Sequence, residues 1–258
     1  DPSAGDEVGY PLLVKAAAGG GGKGMHVVEA SGDLSEAVAS AQREALKAFG
    51  DDRVFLERYV PSSHHIEIQI LGDSHGNLVH LGERECSIQR RHQKIIEEAP
   101  SPTIDSDLRA SMAEAALSLA RTIGYESTGT VEFLLDHDSK EFFFLEVNTR
   151  LQVEHPVTEE TTGIDLVRQQ ILVAQGEAIE CPQESISSFG HSIEARLYAE
   201  DPANNFLPAI GTVSAFQIPD SDNIRWDVGI GKGTEVGVQF DPMLAKVTSK
   251  GSTRREAA

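Results

Sequence analysis

Residues 130–154 read TVEFLLDHDSKEFFFLEVNTRLQVE, and the placement of charge in this stretch decides the fold. Two largely apolar runs, Thr130 to Leu135 and Glu141 to Thr149, flank a polar turn, which predicts a β-hairpin. If the hairpin turns near Ser139, position 132 lies opposite position 146, and Glu132 stands beside Glu146 on the adjacent strand. Glu132 is the one charge in an otherwise apolar run. Further on, Glu146, Asn148, Arg150, Gln152 and Glu154 alternate with Val147, Thr149, Leu151 and Val153. An extended strand would carry these polar groups as one row, neighbours roughly 6.5–7 Å apart, over an apolar support. Opposed carboxylates repel unless solvent or a cation lies between them, and hard oxygen ligands with Asn148 alongside suit magnesium, which in turn suggests a nucleotide. An exposed edge strand with solvated charges fits the same pattern. Past the metal end of the row, Arg150 offers a planar fork for a small oxyanion, and Glu154 could act as general base toward a species held there.

Working outward, Pro11 to Lys15 and Met25 to Glu29 read as strands joined by the glycine-rich segment AAAGGGGKG. Gly19 to Gly24 matches GxGxxG, but a strand follows where a dinucleotide fold needs a helix, and Lys23 is followed by Gly24 where a P-loop needs Ser or Thr. What remains is a loop whose bare N–H groups could close over phosphates, with Lys15 as a point charge, or a plain surface loop. Residues 33–49 have helical periodicity, with Asp33 as N-cap, Glu36 completing a capping box and Gly50 at the stop. Strands follow at Val54 to Tyr59 and His64 to Leu71, the second with Ile66, Ile68 and Ile70 on a core face and His65, Glu67 and Gln69 on a polar one. After a turn at Asp73 to Asn77, a further strand leads into the basic run Gln89, Arg90, Arg91, His92, Gln93, Lys94, an anion-contacting segment or a solvated loop. Helices are expected over Asp105 to Ile123, ending at Gly124, and near 165–175, ending at Gly176. From about Ser187, short strands separated by Gly and Pro suggest a second, mostly β unit, and residues 250–258 look like the start of a helix that then stops, as in a fragment.

The chain has 258 residues, 40% of them hydrophobic, enough for a core of ordinary size. Its net charge of −19 repels phosphate backbones and argues against a nucleic-acid partner. Cys86 and Cys181 lie far apart and read as buried or half-buried thiols, not as a disulfide or zinc framework. No apolar run approaches the ~20 residues that span a bilayer, and no signal-peptide pattern opens the chain, so it reads as soluble and intracellular.

The motifs KAAAGGGGKGM, HHIEIQILGD, ERECSIQRRHQKIIEEAP, VEFLL, FLEVNTRLQVEHPVTEETTGIDLV, GHSIEARLYAEDP, NFLPAIG and FDPMLAKV, in this order, resemble those of the biotin carboxylases, the ATP-grasp component of biotin-dependent acyl-CoA and pyruvate carboxylases. The resemblance covers nearly the whole chain, and QRRHQK with NTRLQVEHPVTE is close to diagnostic. It implies an α+β architecture: an ATP-grasp domain over residues 1–180, with a glycine-loop lid (1–59) and an antiparallel-sheet catalytic subdomain (60–180), followed by an incomplete, mostly β C-terminal domain (187–258). It assigns Lys15, Gly21 and Gly22 to the ATP phosphates, Glu57, Arg58, Tyr59 and Val60 to the adenine hinge, and His65 and Gln89 to the ribose side of the nucleotide, with His92 nearby. Glu132, Glu146 and Asn148 would bind magnesium, or manganese in its place. Lys94, Arg150, Gln152 and the backbone of Val153 would hold bicarbonate, Glu154 would deprotonate it for attack on the γ-phosphate, and Arg196 would stabilise the biotin enolate. By residues alone, Arg196 also reads as a surface group paired with Glu194. The implied activity is carboxylation of carrier-borne biotin through carboxyphosphate, with a biotin carboxyl carrier domain and a carboxyltransferase as partners, a homodimeric full-length form, and a cytoplasmic or mitochondrial-matrix location. Another ATP-grasp ligase, such as a carbamoyl-phosphate synthase half, or a noncatalytic ATP-binding module left by truncation, are the competing expectations. The family's N-terminal Rossmann-like domain and its further nucleotide-contacting lysine are not in this sequence, and the final carboxyl acceptor is not written in it.

Overall fold

The structure is a computed structural model that describes residues 2–18 and 24–258. Gly21 and Gly22, expected at the ATP phosphates, lie outside the described residues. The chain divides into two compact units, residues 1–63 with 89–93 and 136–139, and the remainder.

In the N-terminal unit, helix α1 (Pro2–Val8) precedes β1 (Leu12–Ala16), β2 (Met25–Val28), α2 (Leu34–Phe49) and β3 (Val54–Arg58). The strands pair antiparallel in the order β2-β1-β3, with Leu12 opposite Val28 and Arg58. Leu12 and Val14 alternate inward against Val28, Leu34 and Ala41, which makes this a small two-layer core. The antiparallel pairing of β1 with β2 is present as expected, the glycine run between them lying largely outside the described residues, whereas α1 has no counterpart in the sequence reading. The capping box at Asp33 does not form, because Ser31–Asp33 already winds as a 3-10 turn and Asp33 has helical dihedrals (φ −93°, ψ −11°) instead of the extended backbone a cap needs. Gly50 ends α2 in the left-handed region, φ 73°, as expected.

The second unit contains β4 (Ser63–Gly72), β5 (Leu78–Arg90), β6 (Gln93–Ala99), α3 (Ser106–Thr122), β7 (Ser127–Asp136), β8 (Phe142–Asn148), α4 (His155–Thr162), α5 (Leu166–Ala174) and β9 (His191–Tyr198). Short strands β10 (Glu200–Asp201), β11 (Leu207–Pro208) and β12 (Gly211–Thr212) lead to β13 (Ile224–Val228), β14 (Glu235–Val236), β15 (Met243–Gly251) and α6 (Arg254–Ala257). Its main sheet has eight strands in the order β13-β15-β9-β6-β5-β4-β7-β8. Of the strands after residue 187, β9, β13 and β15 therefore continue the same sheet, with Glu97 of β6 opposite Glu194 of β9, while β10–β11 and β12–β14 form two small two-stranded sheets.

One face of this sheet packs on α3: Ile66, Ile68 and Ile70 meet Met112, Ala116 and Ala120, with Val131, Phe133 and Leu135 beside them. The other face of β4 is polar as expected but not solvated, since Glu67 and Gln69 are as inaccessible as the isoleucines. Register explains this: Glu67 lies opposite Arg84 on β5, and the two form a buried salt bridge. Cys86 and Cys181 are buried free thiols, and among the described residues no helix is long and apolar enough to cross a membrane.

Candidate active site

The β7–β8 hairpin sets Glu132 opposite Glu146, the register expected from the sequence. A bulge follows between Glu132 and Phe133, where the pairing moves to Phe144. The two acids differ in environment: Glu132 is buried and Glu146 exposed. The expected strand through residue 154 is a correction. β8 ends at Asn148, residues 149–154 form a loop and turn, and Glu154 occupies the N-cap position of α4, a helix the sequence reading did not include. Two local signals were available for it, Pro156 in the first turn and Gly163 at the left-handed C-cap, φ 72°. The loop divides the alternating residues, so that Gln152 and Glu154 turn into the interior while Arg150 stays exposed.

The centre of the site is the ammonium of Lys94, at the start of β6. It donates to Glu67 Oε2 at 2.5 Å, Glu154 Oε1 at 2.6 Å and Glu132 Oε1 at 2.9 Å. Burial opposes its charge, but Glu67, Glu154 and Glu132 outweigh burial and hold the Lys94 pKa above the ordinary lysine value. Burial would likewise raise Glu132, yet the His65 hydrogen bond and Lys94 hold it well below the usual carboxylate range. The other oxygen of Glu154 takes Arg196 at 3.0 Å, and Arg196 also donates from Nε to Glu97 Oε1 at 2.7 Å. Arg196 is thus bridged by Glu97 and Glu154 and is not a surface group paired with Glu194. Glu194 stands two residues along the same strand, ~6.5–7 Å away, whereas Glu97 reaches it from the neighbouring strand. Lys246, opposite Arg196 on β15, donates to the carbonyl of Val153 at 2.5 Å.

Beneath this lies Arg84, fully buried, which binds Glu67, Gln69 Oε1 (2.7 Å), Thr158 Oγ1 (2.9 Å), Gln152 Oε1 (3.0 Å) and Thr130 Oγ1 (3.2 Å). Gln152 passes the connection on, donating from Nε2 to Glu132 at 2.8 Å. Sequence reasoning did not single out Glu67, Arg84, Glu97 or Lys246 as site residues. The available signal was a charge placed inside an apolar alternating strand, as in HHIEIQI.

Other expected residues fall elsewhere. Arg150 donates to Asn148 Oδ1 at 3.4 Å and to the Leu151 carbonyl at 3.3 Å, outside the Lys94 cluster. His65 Nε2 lies 2.9 Å from Glu132 Oε2. In the N-terminal unit, Lys15 pairs with Glu57 at 3.3 Å, Arg58 and Tyr59 line a cavity with Tyr10 and Pro61, and Val60 is buried. Gln89 precedes the turn of the β5–β6 hairpin, whose two central residues, Arg91 (φ 51°) and His92 (φ 64°), have the positive φ of a tight hairpin turn. The basic run is therefore a hairpin tip, and only Lys94 enters the buried cluster.

Two groups of described residues bring ligand atoms within 4.8 Å of one another: His65, Glu67 and Glu132, and Glu67, Cys86 and Glu154. Neither includes Glu146. The Lys94 ammonium already supplies the cation that these interior carboxylates require. Glu146 and the amide oxygen of Asn148, with Glu132 shared with Lys94, offer the oxygen donors that magnesium takes.

Residues 2–181 match the family model for the ATP-binding domain of the carbamoyl-phosphate synthase L chain, and residues 194–258 match the biotin carboxylase C-terminal domain. The chain is 49% identical to biotin carboxylase 2 of Bacillus subtilis, over 97% of this chain and 56% of that protein. It is 50% identical to the mitochondrial methylcrotonoyl-CoA carboxylase subunit alpha of Glycine max, over 98% of this chain and 34% of that one. The chain thus spans about a third to just over half of these relatives. The biotin carboxylase domain dimer of Hydrogenobacter thermophilus 2-oxoglutarate carboxylase, solved with MgADP, ADP and bicarbonate, superposes with a TM-score of 0.95 at 43% identity, over 99% of this chain and 56% of that one. Campylobacter jejuni biotin carboxylase, in complex with β-γ-ATP, gives 0.93 at 47% identity, over 98% and 56%. With the glutamate hairpin, the buried lysine cluster and these similarities together, the chain belongs to the biotin carboxylase family of ATP-grasp proteins.

Proposed function

We propose that this chain carries the centre at which a biotin-dependent carboxylase uses ATP and magnesium to carboxylate biotin with bicarbonate. The observation that carries the reading is Glu154, whose two oxygens are held separately by Lys94 and Arg196. That arrangement places a proton acceptor between two cations, as needed to hold a bicarbonate anion and remove its proton in one place. Lys94 and Arg150 would bind the anion, with Gln152 and the Val153 backbone beside them, and Glu154 would take the proton. The freed bicarbonate oxygen attacks the γ-phosphorus of ATP and ADP leaves, giving carboxyphosphate. This breaks down to CO2 and phosphate, the phosphate accepts the proton of the biotin ureido nitrogen, and that nitrogen attacks CO2. Arg196 would stabilise the developing enolate oxygen.

Glu132, Glu146 and Asn148 would hold magnesium, which when bound neutralises phosphate charge. In the N-terminal unit, Lys15 with Gly21 and Gly22 would contact the ATP phosphates. Glu57, Arg58, Tyr59 and Val60 would contact adenine, and His65 and Gln89 the ribose side, with His92 nearby. The domain borders we infer are 1–59, 60–180 and 187–258. The relatives named as acyl-CoA carboxylase alpha subunits support a carrier domain and a carboxyltransferase as partners, and the relative solved as a dimer supports a homodimer. Mitochondrial and bacterial relatives support a matrix or cytoplasmic setting. The match of residues 194–258 supports this reading over a carbamoyl-phosphate synthase half.

The test is ATP hydrolysis by the chain, and by the chain extended with the family's N-terminal domain. Dependence on bicarbonate and stimulation by free biotin are expected in the extended form. Hydrolysis indifferent to both would refute the proposal.

A further inference from the structure

Two buried carboxylates take no part in the proposed reaction. Glu97 of β6 and Glu194 of β9 are register partners, so their side chains share a face with Cβ atoms ~4.5–5.5 Å apart. Both residues are 0% exposed. Thr248 of β15 lies opposite Glu194, which makes Thr248, Glu194 and Glu97 one row across three strands. Glu97 Oε1 accepts from Arg196, and Glu194 Oε2 accepts from Thr248 at 3.0 Å with Lys246 at 4.0 Å. The remaining oxygens, Glu97 Oε2 and Glu194 Oε1, are buried with no hydrogen-bond partner among the described residues.

Two ionised carboxylates in this position would combine like-charge repulsion with two desolvated lone oxygens. A single proton relieves both, because a protonated carboxyl donates to the oxygen its neighbour leaves bare. The local charge balance agrees: Glu67, Glu97, Glu132, Glu154 and Glu194, with Asp227 against Lys246, are six carboxylates, whereas Arg84, Lys94, Arg196 and Lys246, with the imidazole of His65 against Glu132, supply at most five cations.

We propose that Glu97 and Glu194 share one proton at neutral pH and that the resulting pair positions Arg196, giving it one anionic neighbour on the sheet beside its contacts with Glu154 and Tyr198. Burial is the largest influence on both acids. It takes Glu97 to about 7 against the pull of Arg196, and Glu194 to about 8 against that of Lys246, while Glu154 pushes both in the same direction and Glu67 adds to the effect on Glu97. Sharing of the proton is independent of any reaction, whereas a role for Arg196 toward biotin rests on the function proposed above.

Infrared difference spectroscopy on the chain labelled with 13C-carboxyl glutamate tests the proton directly. At pH 7 the wild type should show the carbonyl stretch of one protonated, buried glutamic acid, which fades as pH rises past about 8. Glu194→Gln replaces the acid with an amide that still donates, so the band should vanish while the fold persists. No band at pH 7, or a band that survives in both Glu97→Gln and Glu194→Gln, would overturn the shared proton; the wild-type titration decides the matter even if a variant does not fold. The positioning role predicts that the Arg196 Nε–H resonance shifts with the loss of the band in wild type and does not shift over that range in Glu194→Gln. A resonance indifferent to the band refutes positioning. A normal band and resonance without biotin-stimulated hydrolysis would refute only the function.

Discussion

Glu154 shows why the smallest change in this site separates binding from chemistry. Glu154→Gln keeps the shape and one acceptor oxygen but removes the group that can take a proton. It should retain MgATP binding and lose bicarbonate-dependent turnover by ~10²-fold or more, as read by steady-state hydrolysis beside nucleotide titration. Turnover at the wild-type rate would remove Glu154 from the base role. Glu146 is opposite Glu132 yet exposed, outside the Lys94 cluster, so Glu146→Ala should leave folding intact and raise the magnesium concentration needed for half-maximal rate. An unaltered magnesium titration would exclude it as a ligand. Arg84 has the opposite character. It is fully buried and ties Glu67, Gln69, Thr130, Gln152 and Thr158 together, so Arg84→Met removes one of the two cations that hold Glu67 and leaves the oxygens of Gln69, Thr130, Gln152 and Thr158 without this donor in the interior. A loss of about 3–5 kcal/mol in urea unfolding is expected, and a change below ~1 kcal/mol would mean that water reaches Glu67.

At the level of elements, short-range patterns decided most of what folded as expected. Alternation in TVEFLL and EFFFLEVNT was enough to set the Glu132–Glu146 register, because one apolar face must cover α3 and a one-residue slip would expose it. The same alternation misled beyond Asn148, where Glu154 and Pro156 open α4 instead of extending β8. Period two carries no information about where a strand stops when the next helix begins on a polar residue. Caps divide in the same way. Asp105 has extended dihedrals and accepts from the N–H groups of Asp107 and Leu108, while Asp33 is already inside a helical turn and caps nothing. Asp105→Ala should therefore cost ~1 kcal/mol and Asp33→Ala a few tenths at most, a contrast thermal unfolding can read. Equal losses would contradict the cap assignment.

For the whole molecule, stability should depend on pH in two opposed ways. Glu98 is held below its ordinary value because Arg254 and His191 outweigh burial, and Asp73 because Asn77 and nearby N–H groups do so. Depressed carboxyls stabilise the fold above their ordinary values, and that contribution is lost as pH falls through the folded pKa. Glu97 and Glu194 are raised, so their favourable state is complete below an ordinary value of 4.5 and is lost as pH climbs through about 7 and about 8. The net charge of −19 adds repulsion on the alkaline side. The urea midpoint should peak near about pH 5 and decline in both directions, and a midpoint still rising from pH 6 to 9 would contradict these burials. Sequence alone determined most of the strands, the long helices, the opposed glutamates and the family resemblance, since each rests on neighbours within one segment or one hairpin, whereas β6 was hidden in the basic run and the end of β8 in the alternation beyond it. Tertiary structure alone decided which charges are buried together. Glu67, Lys94, Glu154 and Arg196 come from β4, β6, the start of α4 and β9, and no local pattern encodes their meeting. Strand order brings them onto one face, and burial then obliges every charge there to find a partner, because an ion removed from water is stable only beside its opposite.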